Sequence, residues 1–86
     1  MAEPLNVLVA TIPRGNRAEI RVQLAEFKGH QYAEVRLFEE FTAAMGARSP
    51  TAKGVTIPFD RLPEFARAVA QAESQARALG LIEPVE

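Results

Sequence analysis

The 86-residue chain has no cysteine, no tryptophan and a single histidine. Without cysteine there is no disulfide scaffold, no thiolate metal site and no cysteine nucleophile. The lone His30 leaves no His-based metal set and little general-base chemistry near neutral pH. Long hydrophobic runs are also missing. The stretch Leu5 to Ile12 is broken by Asn6 and Thr11 and is too short to span a bilayer. No basic residue precedes it, so it makes a poor signal peptide. No membrane partner is expected, and the expected compartment is the cytoplasm, in association with the nucleoid. A glycine-rich phosphate loop is absent; Lys53-Gly54 resembles only the tail of one. Ser49 and Ser74 have no base beside them, and Glu39 and Glu40, as strand neighbours, point to opposite faces. The reading is therefore no enzyme, no metal and no cofactor. An excess of positive charge is missing too. The formal net charge is -1 and the pI about 5.8, which is not the usual basic footprint of a nucleic-acid binder. Any anion site must be local.

What is present is one small domain's worth of amphipathic pattern. A chain of this length buries a modest fraction of its surface, so self-association is a natural way to add buried area. Residues 5 to 12 are β-prone, with Leu5, Val7 and Val9 on one side, and Pro13-Arg14-Gly15-Asn16 is a turn signal. Residues 18 to 24 alternate with Ile20, Val22 and Leu24 on one face, the period of a half-buried strand. Phe27-Lys28-Gly29-His30 suits a hairpin turn. Residues 31 to 38 alternate again, with Ala33, Val35 and Leu37 opposite Tyr32, Glu34, Arg36 and Phe38. Residues 39 to 47 read as a strand end and loop, 47 to 52 as a short irregular strand, and 53 to 58 as a last strand ended by Pro58. Leu62, Phe65, Ala66, Val69, Ala72, Ala76 and Leu79 make the stripe of an amphipathic helix, with Asp60 as its cap, Pro63 in its first turn and Gly80 at its end. The order predicts an α+β fold: an antiparallel sheet of four strands, or five, followed by one long helix on one face.

Single-stranded nucleic acid is gripped by cations along its backbone and by aromatic faces on which bases stack. The chain sets Phe27 beside Lys28 and His30, then Tyr32, Arg36 and Phe38 along one strand side, with Arg48 and Lys53 bracketing the irregular segment. The same pattern suits a structural role equally well, with Phe27 anchoring the turn and Tyr32 and Phe38 meeting a second subunit.

From Glu19 onward the chain resembles the single-stranded-DNA-binding C-terminal domain of the transcriptional coactivator family called positive cofactor four, most of all its small bacterial members. The resemblance rests on Glu26-Phe27-Lys28-Gly29, on the strand from Tyr32 to Phe38, and on Lys53-Gly54-Val55-Thr56-Ile57 before the helix. It divides the chain into an extension over 1–16, a binding domain over 17–80 and a tail over 81–86. It implies a homodimer whose interface uses the helix stripe Leu62, Phe65, Ala66, Val69, Ala72, Ala76 and Leu79. It implies a channel in which Phe27 stacks on bases, Lys28, Lys53 and Arg36 meet phosphates, and Gly29 and Gly54 allow close approach. His30, Phe38 and Arg48 complete the expected site. Single-stranded DNA or RNA, and the transcription machinery, are the expected partners. The chain departs from the family pattern in having His30 in place of a basic residue and Glu39 in place of an aromatic one. Those departures keep open an alternative, a dimeric regulatory or scaffold module that has lost its ligand.

Overall fold

The computed structural model describes residues 3–40 and 48–82. Four strands, β1 (Asn6–Arg14), β2 (Ala18–Phe27), β3 (His30–Glu40) and β4 (Arg48–Pro58), pair antiparallel in chain order, and helix α1 (Leu62–Ala78) follows. The expected α+β architecture of strands and then one helix is present, with four strands rather than five. Among the described residues no helix is long and apolar enough to cross a membrane.

The register sorts side chains onto two faces. Ile20, Val22 and Leu24 lie opposite Leu37, Val35 and Ala33, and Val35 and Ala33 in turn lie opposite Val55 and Ile57. These residues make an apolar face. Glu19, Arg21 and Gln23 pair with Phe38, Arg36 and Glu34 on the reverse, charged face. Segment 5 to 12 does become a strand. The simple alternation of Val7 with Val9 does not survive, because the register shifts between Leu8 and Ala10. That bulge puts Val7, Ala10 and Ile12 across from Leu24, Val22 and Ile20. A bulge near an exposed sheet edge also adds twist and hinders edge-to-edge pairing.

A second irregularity corrects the reading of two short strands over 47–58. There is one strand, β4, with an extended bulge. Arg36 faces Gly54 and Phe38 faces Pro50, so residues 51–53 together oppose Leu37. Thr51 holds this bulge: its hydroxyl donates to the Leu37 carbonyl at 2.9 Å and accepts from the Lys53 amide at 3.1 Å. Residues 41–47 lie outside the described residues.

The β2–β3 turn has the two-residue form. Phe27 faces His30, and between them Lys28 (φ 51) and Gly29 (φ 80) both take left-handed dihedrals. Two successive positive φ values define a type I′ turn, whose twist matches that of the flanking strands. Helix α1 begins at Leu62 with Arg61 as N-cap and no side-chain cap bond, so Asp60 does not fill the capping role. Pro63 does fall in the first turn. The helix ends in a Schellman motif: Gly80 has φ 75, its amide donates to the Arg77 carbonyl at 3.1 Å, and the Leu81 amide donates to that of Ala76 at 2.8 Å.

The helix does not lie across a sheet face. Its main contact is with β4, and none of its residues is buried. Among the described residues the buried apolar set is Ala33, Leu37, Phe38 and Ile57. The accessible surface is 6989 Å², against about 5000 Å² for a compact monomer of this mass. The radius of gyration is 15.6 Å, against about 12 Å for a compact chain of this length. The fold is a splayed sheet and helix with its apolar surfaces open.

The turn geometry gives a stability prediction. A Cβ at Gly29 meets nothing within 4 Å, so any cost of Gly29→Ala is backbone strain alone. Urea unfolding should show a loss of about 1 kcal/mol for Gly29→Ala, while Lys28→Gly should be neutral or slightly stabilising. Equal stability of Gly29→Ala and wild type would contradict the type I′ assignment.

Candidate nucleic-acid interface

The expected site residues fall into three places. The first is the hairpin tip. Phe27, Lys28, Gly29 and His30 are all exposed there, and the Phe27 ring is 63% exposed. Apolar rings of this size are normally covered, and this one is held out by a short, rigid turn. The Lys28 ammonium lies 5.4 Å from its centroid, within cation–π range.

The second place is the charged face. Arg21 and Arg36 are direct cross-strand partners, an arrangement that costs stability unless the charges are neutralised. Each is met by a carboxylate two residues earlier on its own strand: Arg21 Nε donates to Glu19 and Arg36 Nε to Glu34, both at 2.5 Å. Glu19 also accepts from Arg48 of β4, so one carboxylate ties β2 to β4 across β3. Arg48 donates further to the Asn16 carbonyl at 3.2 Å, and Arg36 to the Thr51 carbonyl at 2.8 Å. Beneath this network lies Phe38, 8% exposed, with the Arg21 guanidinium 4.1 Å above its ring centroid. Within the subunit Phe38 is therefore a core residue under an arginine lid and presents no free ring face to a base. Arg36 and Arg48 are engaged by Glu34 and Glu19. Gly54 makes room for Arg36: a Cβ there would sit 2.8 Å from Arg36 Cζ and 2.9 Å from the Val35 carbonyl oxygen.

The hydrogen bonds from Arg21 and then Arg48 hold the Glu19 carboxyl below the usual carboxylate range; their charges act in the same direction, and burial opposes them. Glu19 is 7% exposed although it sits at the sheet surface, because the two guanidinium groups cover it.

The third place is an open groove of about 290 Å³ on the apolar face, floored by Ile20, Val35, Leu37 and Val55 and reached by Lys53 and Arg14. Lys53 leaves the Thr51 bulge on this side and has no carboxylate partner among the described residues. The cations of the sheet are thus divided between its two faces. Arg14, Glu19 and Arg21 are absent from the residues singled out in the sequence. The repeated Glu-x-Arg spacing, Glu19-Arg21 and Glu34-Arg36, is the signal for the two same-strand pairs, since residues two apart share a strand face. Nothing local marks the Arg48 to Glu19 contact.

A four-stranded meander with a C-terminal helix and an aromatic-basic hairpin tip defines a small sheet-and-helix module. The chain belongs to the family described as Transcriptional Coactivator p15 (PC4), whose family model matches residues 15–68. Its fold is similar to two crystal forms of a PC4 homolog from Burkholderia pseudomallei K96243. The orthorhombic form gives a TM-score of 0.70 at 22% identity, covering 85% of this chain and 96% of that one. The tetragonal form gives 0.71 at 22% identity, covering 79% and 97%. A search of curated protein sequences gives no match.

The Glu19 network makes a pH prediction. A carboxyl whose folded-state pKa is depressed contributes stability above its unfolded pKa and loses it as pH falls through the folded value. Denaturant unfolding between pH 7 and pH 3 should show stability falling on the acid side, with a shallower fall in Glu19→Gln. An unchanged acid limb in that variant would remove Glu19 as its source.

Proposed function

We propose that the protein is a homodimeric, largely sequence-independent binder of single-stranded DNA or RNA, acting in transcription or nucleic-acid maintenance in the cytoplasm, in association with the nucleoid. The observation that carries this reading is the 63% exposed Phe27 ring on a rigid turn beside Lys28. Such a ring is a platform for unpaired bases, worth about 1–3 kcal/mol per stacked base. Lys53, without a carboxylate partner among the described residues, supplies a second cation for the backbone. Membership in a transcriptional coactivator family supports the assignment.

The dimer is supported by the open apolar surface. Leu62, Phe65, Ala66, Val69, Ala72, Ala76 and Leu79 are none of them buried within the subunit, and Val69 and Leu79 are 53% and 73% exposed. A helix with an apolar stripe needs a surface against which to bury it. The surface in excess of a compact monomer, about 2000 Å², is of the order that an obligate dimer interface buries.

A second reading has its own observation. Glu19 and Glu34 occupy the three arginines of the charged face, as in a dimeric module that has lost its ligand. Fluorescence anisotropy with labelled oligothymidine separates the two. Saturable binding at low salt is expected, tighter than to duplex. Phe27→Ala should weaken it by about 1–3 kcal/mol with the salt dependence unchanged. Lys28→Ala should flatten the log–log salt slope by about 0.7. No saturable binding would select the second reading.

Sedimentation at micromolar concentration should give twice the subunit mass, and Val69→Glu should abolish that species. A wild-type monomer would contradict the dimer.

A further inference from the structure

The cations that carboxylates leave unpaired are not scattered. Arg14 ends β1 opposite Ala18, and its register position places it on the apolar face. Lys53 reaches the same face from β4. Both line one groove, and no lining residue of that groove is acidic. The groove crosses all four strands, so the backbones of β1 and β4 at its two ends are about 14 Å apart. Its floor is two directly paired aliphatic couples, Ile20 with Leu37 and Val35 with Val55. An apolar floor between two cations fits a ligand with a flat apolar body and an anion on each side. An unpaired nucleotide within a single strand has that chemistry, and the volume, about 290 Å³, lies at the small end of ligand sites.

We infer that this groove is a nucleotide subsite in which the base lies on Ile20, Val35, Leu37 and Val55 and the flanking phosphates are held by Lys53 and, from β1, by Arg14. The inference rests on the single-strand-binding reading and adds to it a contact from a strand that precedes the family-matched residues 15–68. The charged face is a poorer host for the same ligand, because Glu19 and Glu34 already sit on its guanidinium groups. Glu39 bears on the groove as well. It faces the apolar side beyond Ala18, which lies between it and Arg14 in the register. Its charge opposes a phosphate at that end.

The test uses the full chain with labelled oligothymidine in anisotropy titrations over a salt series. Each lost phosphate contact on single-stranded nucleic acid reduces the log–log slope by about 0.7. Arg14→Ala should give that reduction, Lys53→Ala the same, and the double variant about twice it. Arg67→Ala, on the exposed helix surface, should leave the slope at the wild-type value. Glu39→Gln should tighten binding. If wild type binds and Lys53→Ala flattens the slope while Arg14→Ala does not, the subsite inference falls and the single-strand reading stands. An equal effect of Arg14→Ala on duplex binding would also overturn the inference, by reducing Arg14 to a general surface charge. If wild type does not bind, both fall.

Discussion

The charged face depends on one carboxylate. Glu19 accepts from Arg21 on its own strand and from Arg48 two strands away, and these contacts close a lid over Phe38. Without a negative charge at that position, Arg21 and Arg36 would face each other across the β2–β3 ladder with only Glu34 to offset them. Pairing like charges in this way is tolerable only because each guanidinium has an acceptor close by. The consequence reaches function. Arginines that might greet a phosphate already hold an internal anion, so recognition of an external one falls to other cations.

Those other cations sit where the backbone is irregular. Lys28 lies in a type I′ turn and Lys53 in a bulge that Thr51 holds shut. Arg14 lies at the last ladder position before the β1–β2 turn. Regular strand positions on the reverse face place glutamate and arginine side by side, whereas turns and bulges turn a side chain away from such neighbours. Bulges commonly re-aim side chains in this manner. The same bulge leaves Gly54 facing Arg36, where the missing Cβ gives the guanidinium its space.

The subunit is also incomplete in packing. Four buried apolar residues are a thin core, and the apolar sheet face and helix stripe both stay open. Burial at about 25 cal/mol per Å² makes such surfaces costly to leave in water. Membership in the PC4 family places this geometry among transcriptional coactivators.

Local pattern was enough for the strand alternation in β2 and β3, for the hairpin at Lys28-Gly29 and for the helix ending at Gly80, because period and turn chemistry act over a few residues. Phe27 was legible as a site residue for the same reason: a turn residue next to a glycine has little around it to cover it. The bulges at Val9 and at 51–53, the idle Asp60 and the burial of Phe38 were not legible. Each depends on what a neighbouring strand or a distant arginine does, and Phe38 and Tyr32 are equivalent in alternation until Arg21 covers one of them. Sequence alone determined which segments are strands, which is helix and where the chain turns. The tertiary structure decided which cations are spent on internal carboxylates and which remain for a ligand, since an ion pair such as Arg48 with Glu19 forms only when strands far apart in the chain are brought side by side.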